Sequence, residues 1–76
     1  MKRIIQIIAR ALVDRPEAVS VAEITGTHVT IIELTVARED IGKIIGKQGR
    51  TASALRTIVN AVSSKTKKRS RLEIIE

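Results

Sequence analysis

The 76-residue sequence contains no cysteine, phenylalanine, tyrosine or tryptophan, and it has one proline and one histidine. The absence of cysteine excludes disulfides and zinc sites with thiolate ligands, and His28 alone cannot assemble a metal site with histidine partners. The absence of aromatic rings excludes binding modes in which nucleic-acid bases stack on such side chains. We therefore expect neither a metal nor a cofactor.

Length and composition indicate one globular domain over residues 1–76. Hydrophobic residues make up 43% of the chain, which is typical of a folded protein rather than a disordered one. Residues 2–8 faintly resemble a signal peptide, but Gln6 and Arg10 interrupt the apolar run and no cleavage site follows. We expect a cytoplasmic protein that does not contact a membrane.

The positive charge is concentrated in the second half of the chain. The net charge is +6; residues 1–37 hold four basic and four acidic side chains, whereas residues 38–76 hold ten and four. Such a distribution is typical of proteins with a polyanionic partner. A solvated, solubilising surface is the alternative for a basic run considered alone.

Hydrophobic periodicity predicts an amphipathic helix followed by two strands in the first half. The apolar arc of the helix consists of Met1, Ile4, Ile5, Ile8, Ala11 and Leu12. Pro16 should end this helix, because the residue before a proline is pushed out of the helical region. Residues 17–37 are rich in β-branched side chains and break once at residues 25–28, which predicts two strands joined by a turn.

The second half predicts two helices and a strand. A short helical turn opens at Arg38 and leads to a glycine loop at residues 46–49, after which a longer helix begins at about Arg50. The buried face of that helix should carry Ala52, Leu55, Val59 and Val62. Residues 65–71 are expected to be a basic linker, and residues 72–74 a short closing strand. The predicted class is α+β, with the order α-β-β-α-α-β and a three-stranded sheet whose helices pack on one face.

The segment Gly46-Lys47-Gln48-Gly49 is the most informative part of the sequence. A glycine removes a Cβ where another backbone must come close, and it adopts dihedral angles that other residues avoid. Free amide groups, the charge of Lys47 and the start of the following helix would all face one anionic group. This pattern predicts a loop that holds a nucleic-acid backbone.

The segment Ile45-Gly46-Lys47-Gln48-Gly49-Arg50, preceded by Ile41-Gly42 and followed by an amphipathic helix, resembles the signature of KH domains. The element order resembles the type II arrangement, and the whole chain is similar in size to small bacterial proteins made of one KH domain. The resemblance implies that the chain binds about four single-stranded RNA nucleotides in a groove between the loop, its flanking helices and a strand. It implies a role as an RNA chaperone or post-transcriptional regulator.

By position, the resemblance implies a set of RNA-binding residues. These are Lys43, Ile45, Gly46, Lys47, Gln48, Gly49, Arg50 and Arg56, with Arg38 as a weaker candidate. Many KH domains carry a bulky aliphatic residue three positions after the second loop glycine, where this chain has Ala52. The smaller side chain predicts a shallower groove floor.

The sequence has features of two other classes of function. Residues 42–48 superficially resemble a P-loop, but three residues separate the glycines where four are needed, and Gln48 stands where a Ser or Thr should hold Mg²⁺. The acidic residues form no catalytic set, so we expect no enzyme.

The second class is a protein-interaction module. Ala54, Ile58 and Ala61 lie beside the core face of the last helix, although Ile58 could equally be at the margin of the core. The KH resemblance favours a homodimer and a larger Jag-type KH/R3H partner protein.

Overall fold

A computed structural model of the chain describes residues 1–65 and 68–75. Its helices and strands are α1 (Lys2–Leu12), β1 (Ser20–Thr25), β2 (Val29–Thr35), α2 (Ile41–Ile45), α3 (Arg50–Ser63) and β3 (Arg69–Ile75). Short 3₁₀ turns at Pro16–Ala18, Arg38–Asp40 and Lys47–Gly49 precede β1, α2 and α3. The predicted order α-β-β-α-α-β is confirmed.

The strands form one mixed sheet in the order β1-β2-β3. β1 pairs antiparallel with β2 from Ser20↔Thr35 to Thr25↔Thr30, and the turn between them is closed by a 2.8 Å hydrogen bond from Gly26 N to Val29 O. β3 runs parallel to β2. A parallel neighbour beside an antiparallel pair, with helices on one face, is the type II KH arrangement, so the predicted fold is confirmed.

The core lies between the sheet and the three helices. Strand residues that alternate toward the helices supply one side of it, because successive side chains of a strand point to opposite faces. The helices supply Ile5 and Ala9 from α1, Ile44 from α2, and Leu55 and Val59 from α3, all at most 2% exposed. The buried strand residues are Val21, Ile32, Leu34 and Leu72.

The buried face of α1 differs from the predicted arc. Ile5 and Ala9 are fully buried, whereas Ile4 and Leu12 are 43% and 39% exposed and Ala11 is exposed. Ala9 takes the central position because a methyl group lets the helix backbone come close to the sheet. The helix also ends at Leu12, before Pro16. Within residues 1–65 and 68–75, no helix is long and apolar enough to cross a membrane.

The closing strand is longer than predicted, and the basic linker is correspondingly shorter. β3 begins at Arg69 because it pairs with β2 along all seven residues, starting at Val29↔Arg69. Its arginines belong to the strand, where Arg69 and Arg71 are exposed while Ser70 between them is buried. Of the remaining linker, Thr66 and Lys67 lie outside the described residues.

The position of the core can be tested with two isoleucines of neighbouring strands. Ile32→Ala should lower the free energy of unfolding by about 3 to 4 kcal/mol, because it leaves a cavity beneath the helices. Ile24→Ala removes the same atoms from a side chain that is 50% exposed. It should cost about 1 kcal/mol or less. Urea unfolding measures both, and equal losses would contradict this assignment of the sheet faces.

Candidate nucleic-acid interface

The loop between α2 and α3 has a backbone that depends on glycine. Gly46 has φ 76° and ψ 172°, and Gly49 has φ 74° and ψ 11°. The Gly46 conformation lies in a region that only glycine commonly occupies. Between the two glycines, Gln48 is left-handed, with φ 58°. Hydrogen bonds from Gly46 N to Gly42 O (2.9 Å) and from Gly49 N to Gly46 O (3.1 Å) hold the loop against α2.

Gly46 is also a point of close approach. A Cβ built at this position would lie 2.7 Å from Thr51 Cβ and 2.9 Å from the Thr51 backbone nitrogen. Both distances are shorter than a van der Waals contact allows. The first turn of α3 therefore packs directly on the Gly46 backbone, which fixes the angle between α2 and α3.

The N-terminus of α3 faces solvent at this loop without a cap. Within the described structure, no side chain caps the first turn of α3, and the helix sequence contains neither Asp nor Glu. The Arg50 N–H donates to Lys47 O, and the other N–H groups of the first turn carry the positive end of the helix dipole, which favours an anion. Lys47, Gln48 and Arg50 are exposed around it, and Arg50 Nη2 lies 3.3 Å from Gln48 Oε1. This arrangement suits a phosphate group.

An apolar side chain lies at the loop, and a groove lies farther along α3. Ile45 is 40% exposed at the end of α2, next to Gly46. Along α3, Arg56 lies in a groove of about 270 Å³ between α3 and β3. The other residues that line it are Val59, Asn60, Ser70, Arg71, Leu72 and Glu73. Sequence analysis predicted that a strand would form one side of the groove but named no residue of that strand.

A second cavity extends the groove toward the end of α3. It measures about 690 Å³ and shares Asn60, Ser70 and Arg71 with the first. Asn60 lines both cavities and was not among the residues predicted for the site. Ala52 is buried at 3% exposure and is absent from the linings of both described cavities.

Lys43 differs from the other candidate residues because its charge is already paired. Its ammonium forms an ion pair with the Asp14 carboxylate, and Nζ lies 3.5 Å from Asp40 Oδ1. Hydrogen bonding to Asp14 is the main reason that the pKa of Lys43 is raised, and the contact with Asp40 adds to the effect against the opposing influence of burial. Lys43 remains 45% exposed.

Asp40 was not predicted as an important residue, yet it is 1% exposed. Its carboxylate accepts hydrogen bonds from the backbone N–H groups of Asp14 (3.3 Å) and Arg15 (3.0 Å). Burial raises the pKa of Asp40, but these two hydrogen bonds and Lys43 outweigh it and bring the pKa below its ordinary value. Asp40 is therefore a charged group held by donors from a distant part of the chain.

The structure groups most of the predicted residues at one place. Ile45 through Arg50 form one continuous surface at the junction of α2 and α3, and Arg56 lies in the adjoining groove. Arg38 is exposed in the 3₁₀ turn before α2. Among the described residues, no group of three or more His, Cys, Asp or Glu side chains could hold a metal ion.

Comparisons with known proteins agree with this geometry. A family model described as "KhpA/KhpB, KH domain" matches residues 2–74. A protein named RNA-binding protein KhpA from Caldanaerobacter subterraneus is 57% identical over 75 residues, which cover 99% of this chain and 100% of that protein. Proteins of the same name from Chlamydia pneumoniae and Halalkalibacterium halodurans are each 53% identical over 76 residues, covering 100% of this chain and 97% and 100% of theirs. No solved structure matches this chain.

Three glycines near the loop should respond differently to substitution by alanine. Gly42→Ala should raise the free energy of unfolding by about 0.5 to 1 kcal/mol, because a Cβ in α2 meets nothing within 4 Å and alanine favours the helix. Gly49→Ala should lower it by about 1 to 2 kcal/mol through left-handed strain alone. Gly46→Ala should lower it by more than about 2 kcal/mol, since strain and the clash with Thr51 combine. Urea unfolding ranks the three, and equal losses at Gly46 and Gly49 would contradict the close packing on Gly46.

Proposed function

Since this chain belongs to the KhpA/KhpB KH-domain family, we propose that it binds single-stranded RNA through the loop between α2 and α3. The relatives compared above are named RNA-binding proteins. The proposed unit is one KH domain over residues 1–76, which is supported by the match to residues 2–74. It holds about four nucleotides, as KH domains do.

The observation that carries the proposal is the uncapped N-terminus of α3 beside the glycine loop. Its backbone N–H groups and the side chains of Lys47, Gln48 and Arg50 surround one solvent-facing position. A phosphate there would receive hydrogen bonds from the amides and charge from Lys47 and Arg50. Because phosphates are the same in every sequence, these contacts supply affinity with only modest sequence preference.

The bases lie on the apolar side of the loop and enter the groove between α3 and β3. Ile45 offers apolar surface next to the phosphate position, and Asn60 and Arg56 offer hydrogen-bonding groups farther along. Lys43 contributes least to RNA affinity among the proposed cations, because its charge is paired with Asp14 and Asp40. Arg38 lies at the margin of the proposed site. Buried Ala52 leaves the floor of the groove to neighbouring residues.

The proposed cellular role is that of an RNA chaperone or post-transcriptional regulator in the cytoplasm. The site consists of backbone amides, cations and apolar surface, which bind and orient RNA and provide no nucleophile or general base. We therefore infer a binding protein and no enzymatic activity. The inference is supported by relatives that are named for RNA binding and not for a reaction.

A second candidate function is protein interaction through α3. Ala54 and Ala61 are exposed, and Ile58 between them is half-buried, which leaves a strip of small and apolar side chains on a side of α3 that faces solvent. Small residues let a second helix come close. We propose that this strip forms a homodimer, and that a larger Jag-type KH/R3H protein is the alternative partner.

Charge reversal in the loop tests the proposed RNA site. Lys47→Asp combined with Gln48→Asp places two anions at the phosphate position and leaves both glycines unchanged. Aspartate tolerates the left-handed conformation of Gln48, so the variant should fold. RNA affinity should fall by about 100-fold or more, since phosphate contacts supply most of such affinity. Fluorescence anisotropy with short single-stranded RNA and matched DNA, over a salt series, measures the loss.

The matched control is Lys2→Asp combined with Thr27→Asp. It changes the net charge equally, but at the exposed start of α1 and in the exposed turn between β1 and β2. This control should lose only about 3-fold through the overall charge. If the loop variant binds as well as wild type, the loop is not the site, and the basic residues between α3 and the middle of β3 are next to be tested.

The dimer can be tested by Ile58→Glu, with Ile7→Glu as the matched control. Wild type should sediment as a dimer at high concentration, and Ile58→Glu as a folded monomer, because the carboxylate would be buried without a partner in the interface. Ile7 is 60% exposed on α1, so Ile7→Glu should leave the dimer unchanged. A wild-type protein that stays monomeric at every concentration would refute the proposed homodimer.

A further inference from the structure

The buried carboxylate of Asp40 connects two parts of the chain that are distant in sequence. It lies in the 3₁₀ turn immediately before α2, and its backbone donors belong to Asp14 and Arg15, between α1 and β1. The ion pair between Lys43 and Asp14 and a 3.4 Å contact between Arg15 Nη1 and Glu39 Oε2 connect the same two segments. We call the group of Asp14, Arg15, Asp40 and Lys43 the Asp40 clamp.

The clamp acts on an element that cannot hold its own conformation. α2 has five residues, far fewer than an isolated helix needs to be stable in water. It is held at its start by Asp40 and in its middle by Ile44, which is fully buried. At its other end, the N–H of Gly46, which begins the loop, donates a hydrogen bond back to the carbonyl of Gly42 in the first turn. Only about one and a half helical turns separate Asp40 from the loop. If the start of α2 is disordered, the loop is therefore disordered as well.

We propose that Asp40 is a positioning residue for RNA binding, which keeps α2 ordered so that the loop is already formed before RNA arrives. The inference rests on the proposed function of the loop. Asp40 itself is 1% exposed and does not touch the RNA. When the clamp is broken, α2 frays in the folded protein, and only the fraction of molecules with an ordered loop can bind. The apparent affinity then falls in proportion to that fraction.

Net charge alone predicts that replacing Asp40 by a neutral residue strengthens RNA binding, which is the opposite of our expectation. Asp40→Asn removes a negative charge near a basic surface and raises the net charge from +6 to +7, which by itself should strengthen binding to a polyanion. The amide cannot accept hydrogen bonds at both of its ends, so it faces one of the two backbone donors with an N–H₂ group. A loss of affinity in this variant therefore reports on loop order rather than on charge.

Two control variants separate positioning from charge and from stability. Glu17→Gln makes the same change of charge at an exposed side chain that lies outside the clamp. Val21→Ala destabilises the core from β1 and changes no residue of the clamp. All are compared by anisotropy under conditions in which circular dichroism shows them fully folded. If Asp40→Asn does not fold, Asp40→Glu displaces the carboxylate by one methylene and keeps its charge.

Asp40→Asn should bind RNA about 10-fold more weakly if the loop is ordered in about one molecule in ten. Its slope of log affinity against log salt should equal that of wild type, because no phosphate contact is lost. Glu17→Gln should bind as well as wild type or slightly better, and Val21→Ala as well as wild type. Amide hydrogen exchange at Gly46 and Gly49 should accelerate in Asp40→Asn to nearly the rate of an unprotected amide, because most molecules then have an open loop, and it should not accelerate in the two controls.

Equal or stronger binding by Asp40→Asn would overturn the inference, as would an equal loss in Val21→Ala. A wild-type protein that does not bind RNA would refute the proposed function instead. In that case hydrogen exchange alone decides the role of Asp40 in ordering the loop, and unchanged exchange at Gly46 and Gly49 would overturn that role.

Discussion

The parallel pairing of β2 with β3 is the constraint on which the rest of this structure depends. A parallel neighbour requires the chain to return from the end of β2 to the level where β2 began. The seven residues of β2 span about 23 Å, and the 14 residues of α3 span about 21 Å, so this one helix makes the whole return. The junction of α2 and α3 must therefore lie near the end of β2. Close packing of Thr51 on Gly46 makes that junction a sharp corner and leaves the start of α3 at the surface.

The same corner explains why so few charges define the site in a strongly basic chain. Other described cations of the second half are placed differently: Lys43 is paired with acids, and Arg69 and Arg71 belong to β3. Lys47 and Arg50 are distinguished by their position beside free backbone donors, which are fixed in direction by the fold. A preformed set of donors loses little conformational entropy on binding, and so it contributes more affinity than a mobile cation.

Sequence analysis predicted those features that depend on local pattern. Helical periodicity predicted the burial of Ala52, Leu55 and Val59 on α3. The two glycines of the loop predicted the turn between α2 and α3. The buried face of α1 was predicted less well. Large apolar side chains determined the predicted arc, whereas in the structure the small Ala9 is fully buried and Ile4 and Leu12 are exposed. The start of β3 was missed because its outward residues are arginines, which hide the alternation.

The burial of Asp40 could not be predicted, since its donors are 25 and 26 residues away in sequence. An acidic residue before a short helix already has a sufficient local explanation in the helix dipole. That explanation gives no reason to expect a buried charge. The hydrogen bonds of Asp40 can be identified only from the three-dimensional structure, because the packing of α1 on the sheet determines where Asp14 and Arg15 lie.

The sides of α3 face different surroundings. Leu55 and Val59 face the core, Arg56 and Asn60 face the groove, and the strip around Ile58 faces away from both. A site for about four nucleotides gives limited binding energy, so a second, linked site would raise affinity through effective concentration. If two copies join through α3, the helix that fixes each loop also fixes the distance between the two loops. An RNA long enough to reach both would then bind more tightly than its contacts at either site alone predict.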